Sequence, residues 1–166
     1  TYQSIFKNPI AAPDLLGASS GSAFGASLAI MLGFSTTGIA ISAFILGFVT
    51  IFLVMLIGKR AKGDPITCLI LAGIIIGSLF SSATSCMKLV ADPNNQLPAI
   101  TYWLMGSVAN TTLPEISKVF VPMGIGLFIL LFYRNQLDYL TLDEQEAQSM
   151  GVNTQKLRTI LLLTAT

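Results

Sequence analysis

The 166-residue sequence has no histidine, two cysteines and one tryptophan, and only 10% of its residues are charged. Each scarcity removes a class of function. Without an imidazole, a serine or cysteine nucleophile lacks its usual base. Cys68 and Cys86 stand eighteen residues apart on one apolar stretch, which as a helix separates them by roughly 27 Å, too far for a disulfide. They read as small packing residues and fix no redox compartment. No G-x-x-x-x-G-K-[ST] phosphate loop is present, and no cofactor or metal ligand set is recognisable. A formal net charge of +1 supplies no basic face for nucleic acid. Soluble domains are about a quarter charged. At 53% hydrophobic, a folded surface with so few ionisable groups could not be kept wet and patch-free, so most of this chain has lipid as its solvent.

What is present are apolar runs of spanning length. A span needs about 20 apolar residues, and residues 15–33, 38–58, 66–87 and 113–133 qualify. A fifth span begins near Leu157, and Thr1 to Phe6 reads as the tail of an earlier helix. The chain starts without methionine or a signal-peptide pattern and stops within Ile160-Leu161-Leu162-Leu163. It is therefore read as an internal segment of a longer membrane protein. If connections alternate sides, Lys7, Lys59, Arg60, Lys62, Arg134, Lys156 and Arg158 share one side, and Lys88 and Lys118 the other. The first side is then cytoplasmic. The long outer connection, 88–112, holds the turn Asp92-Pro93-Asn94-Asn95 and a short helix around Ile100 to Gly106. Its Tyr102 and Trp103 fit either interfacial anchoring or, with Gly106, an outer gate.

Small residues recur every four positions in two spans: Gly17, Gly21, Gly25, Ala29 and Gly33, then Gly73, Gly77, Ser81 and Ser85. In lipid, helices associate through close backbone approach, which such stripes permit. The stripes predict a tightly packed bundle, with pathway lining as the second possibility. Ser19, Ser20, Ser27, Ser78 and Ser82 either line a polar route or bond their own helix backbone. Gly17-Ala18-Ser19-Ser20-Gly21 also matches the G-x-S-x-G nucleophile pattern, but no histidine stands anywhere in the chain to serve it. Ionisable groups within the spans, the usual mark of proton coupling, are essentially missing. Glu115 and Lys118 can pair at the outer end of 113–133. An energy source outside the membrane is the economical reading.

The polar stretch 138–158, within which 138–156 is read as a cytoplasmic coupling segment, begins with a capping box. Thr141 caps, Glu144 reaches back, and Asp143, Glu144 and Glu146 favour the helix dipole. Gly151 stops the helix and Asn153 caps the next. Such a short capped helix, with Ala147 on its surface, suits docking of a soluble partner.

Lys7-Asn8-Pro9-Ile10-Ala11-Ala12-Pro13-Asp14-Leu15-Leu16-Gly17 followed by Ser20-Gly21, then Leu71-Ala72-Gly73, Trp103-Leu104-Met105-Gly106-Ser107 and Glu144 through Gly151 carry a likeness. In order and spacing they resemble the iron-siderophore and cobalamin (FecCD-type) permeases of type II ABC importers. Departures are Lys7 and Gln148 for arginines, Ala12 for an acid and Asp143 for a glycine. The resemblance implies an all-α, polytopic transmembrane helical bundle, here an internal fragment of a ten-span permease. Residues 1–166 would form part of one permease domain, from the end of the second span to the start of the seventh. It further implies a multi-pass subunit in a prokaryotic cytoplasmic (inner) membrane, moving iron-siderophore, haem, cobalamin or a related chelate. Its partners would be cytoplasmic ABC ATPase subunits, a second permease subunit in a homo- or heterodimer, and an extracytoplasmic substrate-binding protein. ATP hydrolysis would reside in the partner, so the chain itself would be no enzyme and need no cofactor. Thr141, Glu144, Glu146, Ala147 and Gly151 would couple to the ATPase; Gly17, Gly21, Gly25, Gly73, Gly77 and Ser81 would serve packing or the pathway. The residues alone also leave open a secondary transporter or channel with broken helices. The span assignment predicts that, in an otherwise cysteine-free protein, Lys62→Cys and Asn153→Cys react with an impermeant thiol reagent only from the cytoplasmic side, and Asn94→Cys only from outside. Labelling of Lys62→Cys and Asn94→Cys from one side would refute it.

Overall fold

A serine and an aspartate set where the two longest helices begin. Ser35 accepts a hydrogen bond from the Gly38 N–H at 3.4 Å and caps Thr36–Arg60 (α3). Asp64 accepts from the Thr67 N–H at 2.8 Å and the Thr67 hydroxyl at 2.7 Å, capping Pro65–Val90 (α4) with Pro65 in the first turn. Lys59 and Arg60 occupy the last turn of α3, where the helix dipole favours cations. At 25 and 26 residues, these helices run roughly 38 Å, enough to cross a hydrocarbon core of about 30 Å. Among the described residues they are the two helices long and apolar enough to span a membrane.

The computed structural model describes residues 2–6, 11–106, 113–137, 140 and 154–165. The described residues are helical with no strand, and the chain divides into two units. One is Asp14–Asn110; the other joins Thr1–Pro13 to Thr111–Thr166.

Within Asp14–Asn110, the first expected span is shorter than its apolar run. Pro13–Leu16 forms a 3-10 turn, Gly17 takes φ +67°, and the α-helix proper is Ala18–Met31 (α2), of 14 residues. That is roughly 21 Å, less than a bilayer core. Its far end closes at Gly33, φ +72°, with Phe34 N–H donating to the Ala29 carbonyl at 2.9 Å and Gly33 N–H to Ile30 at 3.0 Å. This is a Schellman stop. The expected five-residue stripe is therefore corrected: Gly21, Gly25 and Ala29 lie inside the helix, whereas Gly17 and Gly33 are the left-handed turns that bound it. A spacing of four does not reveal a glycine's backbone sign.

Helix α2 packs against α3 and α4, antiparallel to the first and parallel to the second. Phe24 and Phe80 meet with ring centroids 5.3 Å apart, and Gly58 of α3 abuts Leu69 of α4. Beyond α4, Asp92 organises a turn, its carboxylate accepting from the Asn95 N–H at 3.0 Å and the Asn95 side-chain amide at 2.9 Å. The short helix that follows, Gln96–Met105 (α5), starts four residues earlier than the expected Ile100. Pro98 falls in its first turn, where backbone N–H groups have no helical partner in any case.

In the other unit, Tyr2–Phe6 (α1) and Thr154–Ala165 (α7) bury Ile5, Phe6, Leu157, Leu161 and Leu162. Leu113–Phe132 (α6) lies where the fourth span was expected, with Val119–Phe132 as its apolar stretch, and contains Pro122, which removes one backbone hydrogen bond from its interior. Gly126 of α6 faces the Thr164 carbonyl of α7. Lys156 is exposed and Arg158 buried on opposite faces of α7. The expected Glu115–Lys118 pair lies outside the described side chains.

Two glycines with opposite surroundings test the packing. A Cβ on Gly73 would strike the Leu15 carbonyl oxygen and come within 2.9 Å of Leu16 Cα, whereas one on Gly47 meets the Ser22 hydroxyl at 2.5 Å, which can rotate away. Gly73→Ala is expected to destabilise the purified protein by about 1–3 kcal/mol, and Gly47→Ala by clearly less. Thermal unfolding in detergent checks the order.

Candidate functional site: the seam around the short helix

Three glycines bring two chain segments into backbone contact. A Cβ on Gly17 would lie 2.8 Å from Gly77 Cα and 2.9 Å from the Gly73 carbonyl; one on Gly77 would lie 3.2 Å from Gly17 Cα. Gly17 is doubly constrained, since its φ of +67° is one that L side chains rarely adopt. It receives its turn through its own N–H, which donates to the Asp14 carbonyl at 3.0 Å. The structure thus brings Gly17, Gly73 and Gly77 together, as the two stripes anticipate, with Gly17 contributing from a turn.

The opposite side of α2 meets α3. A Cβ on Gly21 would collide with the Thr50 hydroxyl, and one on Gly25 would lie 2.6 Å from the Ser42 carbonyl and 2.8 Å from Leu46 Cβ. Thr50 is 0% exposed and donates to the Leu46 carbonyl at 2.7 Å. The Ser42 hydroxyl donates across the helices to the Gly25 carbonyl at 2.8 Å, a bond that holds the two backbones at glycine distance. Thr50 and Ser42 were not reachable from the stripes on α2 and α4. The signal that could have found their neighbourhood is Ala43-x-x-x-Gly47, a small pair on α3 whose two members are buried.

The hydroxyls divide between local and cross-helix roles. Ser27, Thr84 and Ser85 donate to the carbonyls of Ala23, Phe80 and Ser81, four residues back on their own helices. Ser81 instead donates to the Ser20 hydroxyl at 3.1 Å, bridging α4 and α2. Ser19 donates to the Asp14 carboxylate at 2.5 Å. Because a 3-10 turn, Pro13–Leu16, precedes this serine where a nucleophile elbow has a strand, the G-x-S-x-G match is a packing sequence. Neutral hydroxyls and backbone groups suit close packing and weakly polar contact.

Beyond the C-terminal end of α4, Ile100 anchors α5 with 0% exposure while Tyr102 and Met105 stand exposed and Trp103 is 40% exposed. Gly106 ends the helix at φ +71° with its N–H donating to the Trp103 carbonyl at 3.1 Å. Among the described residues, Trp103 and Gly106 sit at an exposed edge of α5, apart from the glycine seam. Ser107 and the residues expected to couple to an ATPase, Thr141, Glu144, Glu146, Ala147 and Gly151, lie outside the described residues.

A profile of the FecCD transport family matches residues 1–166, the entire sequence. The chain belongs to this family. Among its relatives, the molybdate import permease MolB of Haemophilus influenzae is 39% identical over 160 residues, covering 96% of this FecCD chain and 48% of MolB. The hemin permease HmuU of Yersinia pestis is 32% identical, covering 97% of this chain and 49% of its own. The cobalamin import permease BtuC of Halobacterium salinarum is 29% identical, covering 98% and 44%. A solved inward-facing structure of a metal-chelate type ABC transporter superposes with TM-score 0.88 at 38% identity, covering 98% of this chain and 52% of that one. The FecCD chain spans about half the length of the curated relatives it matches. Like its family it is a multi-pass protein of a prokaryotic cytoplasmic membrane.

Volume and hydrogen bonding contribute differently along this seam. Thr50→Leu overfills the space against Gly21 and is expected to destabilise by about 1–3 kcal/mol. Ser81→Ala removes one exposed interhelical bond and is expected to cost about 0.6 kcal/mol. Unfolding of the two variants in the same detergent checks the ranking.

Proposed function

We propose that the chain is part of the permease subunit of an ATP-driven importer that carries a metal, as a chelate or small complex, into a prokaryotic cell. The observation that carries this reading is the superposition of nearly the whole chain on an inward-facing metal-chelate ABC transporter. The parallel, glycine-lined contact of α2 with α4 fits it, because close backbone approach is how helices associate in lipid. ATP hydrolysis belongs to cytoplasmic ATPase subunits, which dock on the segment from Thr141 to Gly151. A second permease subunit completes the pathway, and an extracytoplasmic binding protein delivers the cargo. Relatives named for iron chelates, hemin and cobalamin support a chelate cargo. A second reading, molybdate, is favoured by the greater identity to MolB.

Reconstitution of the complete transporter, with its ATPase and its binding protein, in vesicles tests both. Uptake of radiolabelled iron-siderophore, hemin, cobalamin and molybdate is compared with ATP inside or outside and with an ionophore. ATP-dependent, ionophore-resistant uptake is expected. Uptake driven by an ion gradient alone would refute the importer reading in favour of a secondary transporter. Ala147→Glu places a charge where docking is close; it is expected to leave insertion and assembly intact while uptake and substrate-stimulated ATP hydrolysis fall together by about tenfold, the effect of ~1.4 kcal/mol lost at an interface. Normal uptake by this variant would remove the coupling role from the segment.

A further inference from the structure

The carbonyls at the end of α2 lead to a residue that neither the stripes nor the family motifs single out. A helix ends with carbonyls that have no partner in its own ladder. The Schellman stop at Gly33 takes two of them, Ala29 and Ile30. It leaves Met31. The Met31 carbonyl accepts instead from the side-chain amide nitrogen of Gln96, 65 residues further along the chain, at 3.2 Å. The oxygen of the same amide accepts from the Asp92 N–H at 3.1 Å. One half-buried carboxamide thus joins the end of α2, the turn after α4 and the first residue of α5.

Other attachments of α5 are few and of different kinds. Asp92 ties the turn to Asn95, and Ile100 is buried. Beyond Ile100 the exposed edge Tyr102-Trp103-Met105 runs to the left-handed Gly106, around which no described atom lies within 4 Å of where a Cβ would be. Among the described residues, the helix is held at its beginning and has no such attachment at its end.

We propose that Gln96 is a positioning residue: its amide pins α5 to α2 so that the two helices move as one body, and any displacement of the α2 end is carried to the Tyr102-Trp103 edge. The pin rests on its own geometry; only its consequence for transport rests on the permease reading. The two halves of the amide can be separated chemically. Gln96→Glu keeps an acceptor for the Asp92 N–H but loses the donor and turns a negative oxygen toward the Met31 carbonyl. Gln96→Leu loses both bonds at similar volume.

The test uses the complete transporter with Cys68 and Cys86 replaced by alanine and spin labels introduced through Leu32→Cys and Tyr102→Cys, both exposed positions. In the protein with Gln96 intact, the label distance is expected to stay the same between the nucleotide-free and ATP-bound states; a distance that changes with nucleotide overturns the single-body proposal. Gln96→Glu is expected to broaden the distribution with assembly unchanged, and a distribution as narrow as the parent's overturns the pin. If Gln96→Glu does not assemble, Gln96→Leu takes its place under the same two outcomes. Uptake per ATP hydrolysed is expected to fall about fivefold in the pinless variant, the weight of one neutral hydrogen bond; an unchanged ratio overturns the transmission role. Absence of uptake for every cargo offered would refute the permease reading, while the label distances would still decide whether the pin exists.

Discussion

Backbone touching backbone at Gly17, Gly73 and Gly77 is the constraint on which the Asp14–Asn110 unit depends. Lipid supplies little drive for helices to associate, so α2 and α4 stay together because no side chain separates them. The left-handed turn at Gly17 follows from this contact: it lets the Pro13–Leu16 turn pass across α4 before the helix begins. With that side of α2 fixed, its other side meets α3 through Gly21, Gly25, Ser42 and Thr50. One approach distance thereby sets the order of three helices.

Polar groups in this unit act as short-range fasteners. Ser27, Thr50, Thr84, Ser85 and Thr101 donate to carbonyls of their own helices, and the cross-helix bonds Ser42 to Gly25, Ser81 to Ser20 and Gln96 to Met31 are spread along the length of α2. None of these three carries a formal charge. Each can be exchanged for another hydroxyl or carbonyl at small cost. The charged residues that flank the long helices do different work, fixing their ends through Asp64 and through Lys59 and Arg60.

Much of the fold was legible in the sequence, and the reason differs by element. The bounds of α3 and α4 could be read because apolar runs end at local chemistry: Ser35, the Asp64-Pro65 pair and the cations all act on adjacent residues. The glycine stripes announced close contact but not its geometry, since identity does not reveal that Gly17 and Gly33 have positive φ. The start of α5 was placed too late; Pro98 falls in its first turn, where a proline is harmless. Thr50, Ser42 and Gln96 stayed hidden because a side-chain amide or hydroxyl names no partner until the chain has folded. The family motifs were legible as a whole, and the match along residues 1–166 agrees with them.

The brevity of α2 bears on how the chain enters a membrane at all. Fourteen residues, many of them glycine, serine and alanine, fall short of the roughly 20 apolar residues that let a helix settle in lipid alone. The turn joining α2 to α3 is only the few residues from Leu32 to Ser35. It follows that α2 gains its place in the bilayer as one arm of a hairpin whose longer arm, α3, brings the hydrophobicity for both. During synthesis, then, the most closely packed helix of this unit must wait for the helix that comes after it.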